Sequence, residues 1–160
     1  MSTLVTVAII AAILGSALIG GIFFAFSNFV MKALERVPSS EGVSVMQSIN
    51  VTVLNPWFLG AFMGTAIVSL VLVVVAITGW ELARSPYLLA GAVAYIAGTW
   101  FVTVLGNVPL NDKLAAVKPD TAEASQVWAH YLNRWTKLNT LRTGAAAIAT
   151  VLFSVVLVIH

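Results

Sequence analysis

The chain has 160 residues, 60% of them hydrophobic and only 9% charged, which excludes an ordinary soluble domain, where about a quarter of residues carry charge. It has no cysteine and two histidines, His130 and His160, which argues against disulfides, thiolate chemistry, haem held by two histidines and any cysteine- or histidine-rich metal site. The net charge of +2 is small and no long basic run exists, so nucleic acid is not an expected partner.

Leu4 to Val30 is one apolar run. It is too long for the core of a signal peptide and no Lys or Arg precedes it, so a retained transmembrane helix is expected. Ala8, Ala12, Ser16 and Gly20 form a ladder of small residues four apart, which lets a neighbouring helix approach closely, within the bundle or in an oligomer. The end of this run changes character at Phe23, Phe24, Phe26, Ser27, Asn28 and Phe29. Pro38 breaks the chain, Ser40 is the expected N-cap, and Val43, Met46, Ile49, Asn50 and Val53 then recur at the spacing of a short amphipathic helix.

Asn55-Pro56-Trp57 opens the second span: asparagine suits an N-cap, and proline suits the first helical turn, where its missing N–H costs nothing. Ser85-Pro86 repeats this signal before the third span, which carries a second small-residue ladder at Ala90, Ala94 and Gly98. Asn107 is expected to stop that span, with Pro109 opening a new short helix. After Lys118-Pro119, Asp120 with Glu123 has the spacing of a capping box, and a long amphipathic helix runs on into the fourth span. The fold expected is an all-α membrane protein: an antiparallel four-transmembrane-helix bundle with short amphipathic cytosolic helices in the two long connections. It forms a single integral membrane domain over residues 1–160, with spans at about 4–30, 57–78, 87–106 and 140–159.

Four spans place both termini and the turn at 79–86 on one side, where Arg84 is the basic residue. Lys32, Arg36, Lys113, Lys118, Arg134, Lys137 and Arg142 fall on the other, so that side is expected to be cytosolic and both termini external. Asn28, Asn50, Asn55, Asn107, Asn111 and Asn139 all fall at the cytosolic end. So do Trp128, Tyr131, Trp135 and Arg142, which share one helix face with Leu132, while His130, Arg134 and Lys137 point away. Each residue has a plainer reading as a cap, a helix stop or an interfacial anchor. Together they predict a polar and aromatic pocket, because amides buried in lipid must be paired.

Five pieces carry a family resemblance: Gly21 to Asn28; Met46 to Asn50 with Leu54-Asn55-Pro56; Asn107-Val108-Pro109-Leu110-Asn111-Asp112; Arg134-Trp135-Thr136; and Asn139 with Arg142-Thr143. The chain resembles the anthrone oxygenase-like membrane proteins, and the string from Asn107 to Asp112 is the most specific part. The resemblance implies a four-helix membrane protein, a bacterial cytoplasmic membrane location, and oxidation of an anthrone-like aromatic by molecular oxygen with no metal or flavin. One departure stands out: the family's last motif often reads Trp-Asn-His before the arginine, and here it reads Leu138-Asn139-Thr140-Leu141-Arg142.

Oxygenation without a cofactor needs an electron-rich phenolate or enolate, a base, donors for the oxyanion and a dry aromatic cage. Arg142, Asn139 and Asp112 are the candidate catalytic residues: cation, hydrogen-bond donor and the base nearest in sequence, with His130 as an alternative base that would have to turn from the opposite face. Asn28, Asn50, Asn55, Asn107, Asn111, Trp128, Tyr131 and Trp135 are the candidate substrate-binding residues. No cofactor and no metal ligand are expected. The alternatives are a non-enzymatic membrane protein that holds a quinone or another flat lipophile, and a structural subunit of a membrane complex. A transporter is disfavoured, since the spans contain no mid-membrane charge and no Gly/Pro-broken pair.

Overall fold

A computed structural model describes residues 2–159. Among them there is no strand, and the helices are α1 (Thr3–Leu34), α2 (Ser39–Thr52), α3 (Pro56–Thr78), α4 (Ser85–Ala115) and α5 (Ala122–Val158). α1, α3, α4 and α5 are long and apolar enough to cross a membrane, as in an integral multi-pass membrane protein. Large apolar side chains such as Leu14, Ile67, Val74 and Val151 face outward.

Contacts along the helices give their directions. Ser16 Oγ lies 2.9 Å from Thr150 Oγ1, while Phe23 further along α1 meets Asn139 earlier on α5. Gly91 packs on Phe153 and Gly98 on Ala145, so α4 and α5 also run antiparallel. α1 packs most extensively on α5 and also on α3, and α4 packs between α3 and α5. The small-residue ladder of α1 faces inward: Ala12, Ser16 and Gly20 are buried, and Gly20 abuts Ala146. The ladder expected on α4 is met in part: Gly98 approaches Ala145 and Ala94 is half-buried, while Ala90 is exposed and the fully buried positions include Leu88, Ala92, Tyr95 and Thr99. The Tyr95 hydroxyl on this inward face donates to the Phe62 carbonyl at 3.1 Å.

Several helix starts differ by one or two residues from the sequence reading. The N-cap of α5 is Thr121, whose Oγ1 accepts from the Ala124 N–H at 3.2 Å, so Asp120 and Glu123 form no capping box. α2 begins at Ser39 after Pro38, so Ser40 lies inside the helix. Ser85 is the first residue of α4 rather than its cap, and its Oγ accepts from the Glu81 N–H. Asn55 does cap α3, accepting from the N–H groups of Trp57 and Phe58 at 3.1 Å each.

Asn107 does not stop the third span. α4 runs through it, carried by π-helical turns at Ile96–Phe101 and Thr103–Asn107, and α1 has another at Phe26–Val30. In these turns an N–H reaches one carbonyl further back: Met31 donates to Phe26 and Val108 to Thr103. Pro109 has no N–H, and in a regular helix its ring would press on the carbonyl four residues back. The wide turn just before it relieves that crowding, so the helix continues to Ala115.

The buried side chains form two clusters. One fills the bundle and includes Ile9, Ile19, Phe62, Leu72, Tyr95 and Phe153. The other lies where α2 covers the ends of α1, α4 and α5, and includes Val43, Met46, Leu114, Trp128, Tyr131 and Trp135. α2 is held there by Gln47, whose Nε2 donates to the carbonyls of Leu114 at 2.8 Å and Val117 at 3.0 Å. At Gly42 a Cβ would lie 2.7 Å from the Trp128 ring, so only glycine permits this approach.

Candidate functional site

The face of α5 read from spacing is the buried face. Trp128, Tyr131, Trp135, Asn139 and Arg142 are all buried, Leu132 is half-buried, and His130, Arg134 and Lys137 are exposed. Arg142 is the centre of this face. It is 3% exposed, yet among the described residues it makes no ion pair with a carboxylate. Its Nη1 donates to Thr103 Oγ1 at 3.0 Å and its Nη2 to Asn139 Oδ1 at 2.6 Å. The guanidinium lies 3.9 Å from the Phe23 ring centroid and 5.3 Å from that of Trp135. Its Nε is buried with no hydrogen-bond partner among the described residues. The ion pair among the described residues joins Arg84 and Glu81, beyond the other end of α4.

Asn139 holds the guanidinium and ties it to α1. Its Nδ2 donates to the Phe23 carbonyl at 2.6 Å and to Ser27 Oγ at 2.7 Å. That carbonyl sits just before the α-to-π change in α1, where a side-chain donor intrudes on the backbone ladder. On the opposite side, Thr99 Oγ1 donates to the Arg142 carbonyl at 3.4 Å from the π-helical stretch of α4. The irregular turns of α1 and α4 thus face each other across Asn139 and Arg142.

A second network lies one to three turns away along α5. Asn111 Oδ1 accepts from Tyr131 Oη at 2.8 Å and from Trp135 Nε1 at 2.9 Å. Asn50 Nδ2 reaches Tyr131 Oη at 3.4 Å. The rings of Trp128, Tyr131 and Trp135 stack on one another, at 5.7 and 5.8 Å between centroids. Phe26 tilts against Trp135 at 5.8 Å.

Between these networks lies a cavity of about 330 Å³. Arg142, Trp135, Phe23, Phe26, Thr103 and Asn111 form its inner wall, and α2 contributes Met46 and Asn50. A volume of this order suits a small flat molecule, since ligand pockets begin at about 300 Å³. The Asn111 amide nitrogen has no protein acceptor among the described residues, so it can donate into the cavity. Asp112 also lines the cavity but is exposed, which places it at the rim.

Of the residues singled out from sequence, Arg142, Asp112, Asn50, Asn111 and Trp135 border the cavity. Asn139, Trp128 and Tyr131 stand behind that wall, engaged with Arg142 and with one another. Asn107 is also buried behind it, donating to the Trp135 carbonyl at 3.3 Å while its Oδ1 has no partner. Asn55 serves as a helix cap, and Asn28 is exposed away from the cavity. Sequence reasoning missed Phe23 and Phe26 as cavity walls, and Ser27 and Thr103 as partners of Asn139 and Arg142. Ser27 and Thr103 did carry a signal, since each is a hydroxyl within an otherwise apolar stretch.

A family model described as anthrone oxygenase matches residues 56–152. The match runs from the start of α3 nearly to the end of α5 and takes in Asn107, Asn111, Trp135, Asn139 and Arg142. No curated protein and no solved structure matches the chain.

Proposed function

The chain belongs to the anthrone oxygenase family, and from that premise we propose that it oxygenates an electron-rich, flat aromatic bound in the cavity as its enolate or phenolate. The observation that carries this reading is Arg142: a buried cation without a carboxylate partner among the described residues, bordering a cavity with aromatic walls. A charge inside a membrane bundle is costly to hold and marks a functional position by default. An anionic oxygen beside the guanidinium would supply the missing counter-charge. Phe23, Phe26 and Trp135 would stack on the ring system.

In this reading Asp112 at the rim takes the acidic proton and Arg142, with Asn111, stabilises the resulting oxyanion. The anion passes one electron to oxygen, giving a substrate radical and superoxide. The two combine at the ring carbon to form a peroxide, which takes up a proton. Loss of water then breaks the O–O bond and leaves a carbonyl, so one substrate and one oxygen molecule give one ketone and one water. Asn139 acts as a positioning residue, since its own hydrogen bonds go to Arg142, Phe23 and Ser27. The cavity end is assigned to the cytosolic side, because Lys32, Arg36, Lys113, Lys118, Arg134 and Lys137 cluster there.

The test is oxygen uptake by the purified, metal-free protein with a simple anthrone, corrected for autoxidation. A protein-dependent rate that disappears in Arg142→Gln and Trp135→Ala supports the reading, and a rate equal to autoxidation rejects it for that substrate. One observation favours a second reading, binding of a quinone-like lipophile without turnover: the carboxylate of the cavity is at its rim, and no histidine lines it among the described residues. Stoichiometric binding of an anthraquinone, with oxygen uptake no faster than autoxidation when an anthrone is supplied instead, would select that reading.

A further inference from the structure

We propose that the cavity is loaded sideways from the bilayer, and that its occupant is a neutral, membrane-dissolved lipophile with one weakly acidic hydroxyl or enol. This deepens the reading above and rests on it for the role of Arg142. The mouth carries the argument. Lining residues Val51 and Leu54 are 74% and 65% exposed, and Val108 across from them on α4 is also exposed. Trp57, between lining residues Leu54 and Phe58 in the chain, is 87% exposed. An exposed apolar rim beside a cavity is a surface for membrane or lipophile, and tryptophan favours the headgroup level.

Two polar groups that α2 contributes to the lining are turned to protein partners rather than to this rim. Gln47 spends its amide hydrogens on the Leu114 and Val117 carbonyls, and Asn50 turns to Tyr131. Asp112 is the exposed polar residue of the lining, and its negative charge disfavours an anion arriving from water. A neutral molecule meets no such barrier. It slides past Val51 and Leu54, loses its proton near Asp112, and becomes an anion only beside Arg142.

The experiment uses the full chain in phosphatidylcholine vesicles and three probes: a hydroxyanthrone, the same ring system with a hexadecyl chain that keeps it in the bilayer, and a ring-sulfonated anthrone confined to water. Binding is read as quenching of tryptophan emission, with Trp135→Phe as the reference, and oxygen uptake is followed in parallel. The expected result is binding of the first two probes and none of the sulfonate. Leu54→Asp, at an exposed position where the chain of the hexadecyl probe passes, weakens that probe about tenfold without changing the maximal quench. Val51→Asp repeats the test at a second exposed position on the same side of the mouth. Binding of the sulfonate, or loss of the hexadecyl probe while the plain anthrone binds, overturns the proposal, as does an unchanged affinity in both aspartate variants. Binding in the expected order without oxygen uptake supports lateral loading and removes the oxygenase reading alone.

Discussion

Replacing Arg142 by methionine separates a functional cation from a structural clamp. Methionine keeps the apolar contact with Phe23 and removes the charge. An arginine costs about 2.5–3.5 kcal/mol at the centre of a membrane helix on insertion scales, and that is the upper limit for Arg142 near the end assigned to the cytosol. Against that gain stands Asn139 Oδ1, which loses its donor at 2.6 Å and becomes a buried unsatisfied acceptor, at about 1–3 kcal/mol. The two terms nearly cancel, so Arg142→Met is expected to lie within about 1 kcal/mol of the parent or above it. Asn139→Ala behaves differently. It removes two bonds from α5 to α1, worth about 0.6 kcal/mol each on average in membranes and up to about 1.7. It also strips an acceptor from a buried charge, at about 1.5–3 kcal/mol. The expected loss is about 3 kcal/mol. In the double variant the charge is gone, so the two changes couple by about 1.5 kcal/mol in the relieving direction. Reversible unfolding in mixed micelles with rising dodecyl sulfate gives all four corners of the cycle. Arg142→Met less stable by 3 kcal/mol or more would refute the reasoning and make the arginine a structural clamp.

Three further perturbations test the supporting structure. Gly42→Ala drives a methyl into the Trp128 ring and should cost about 1–3 kcal/mol, with faster hydrogen exchange confined to α2. Asn111→Leu leaves the Tyr131 hydroxyl and the Trp135 indole N–H without their acceptor, at about 1–3 kcal/mol in total stability, and blue-shifts the Trp135 contribution to the emission spectrum. Gln47→Leu frees the Leu114 carbonyl in the last turn of α4 and the Val117 carbonyl just beyond it, so amide protection should fall over residues 39–52 and 110–117 while the rest of the four long helices keeps its protection.

The long helices were legible because uninterrupted apolar length is a strong signal, and the buried face of α5 because a spacing of three and four persists from Trp128 to Arg142. The irregular backbone was not. A π-helical turn leaves no residue signature of its own, and the one in α1 coincides with an Asn139 amide arriving from a helix more than a hundred residues away. Pro109 therefore pointed to a fresh start at Asn107, where the structure has a widened continuous helix. Composition also could not tell rings that line a cavity from rings that fill each other's space. Trp128, Tyr131 and Trp135 share a face, yet their mutual stacking leaves Trp135 alone at the wall. The asparagines divide in the same way: Asn55 answers local chain geometry, Asn139 and Asn107 answer neighbouring helices, and Asn50 and Asn111 reach the cavity.

The central claim is that Arg142 holds an anionic oxygen of an aromatic ligand. It is tested most directly by the absorption spectrum of a coloured phenolic ligand, 1,8-dihydroxyanthraquinone, bound to the protein at a pH where the free ligand is neutral. The account predicts the red-shifted band of the phenolate with the parent protein and the neutral spectrum with Arg142→Gln. A bound ligand that stays neutral, or a phenolate band that survives in Arg142→Gln, would contradict it.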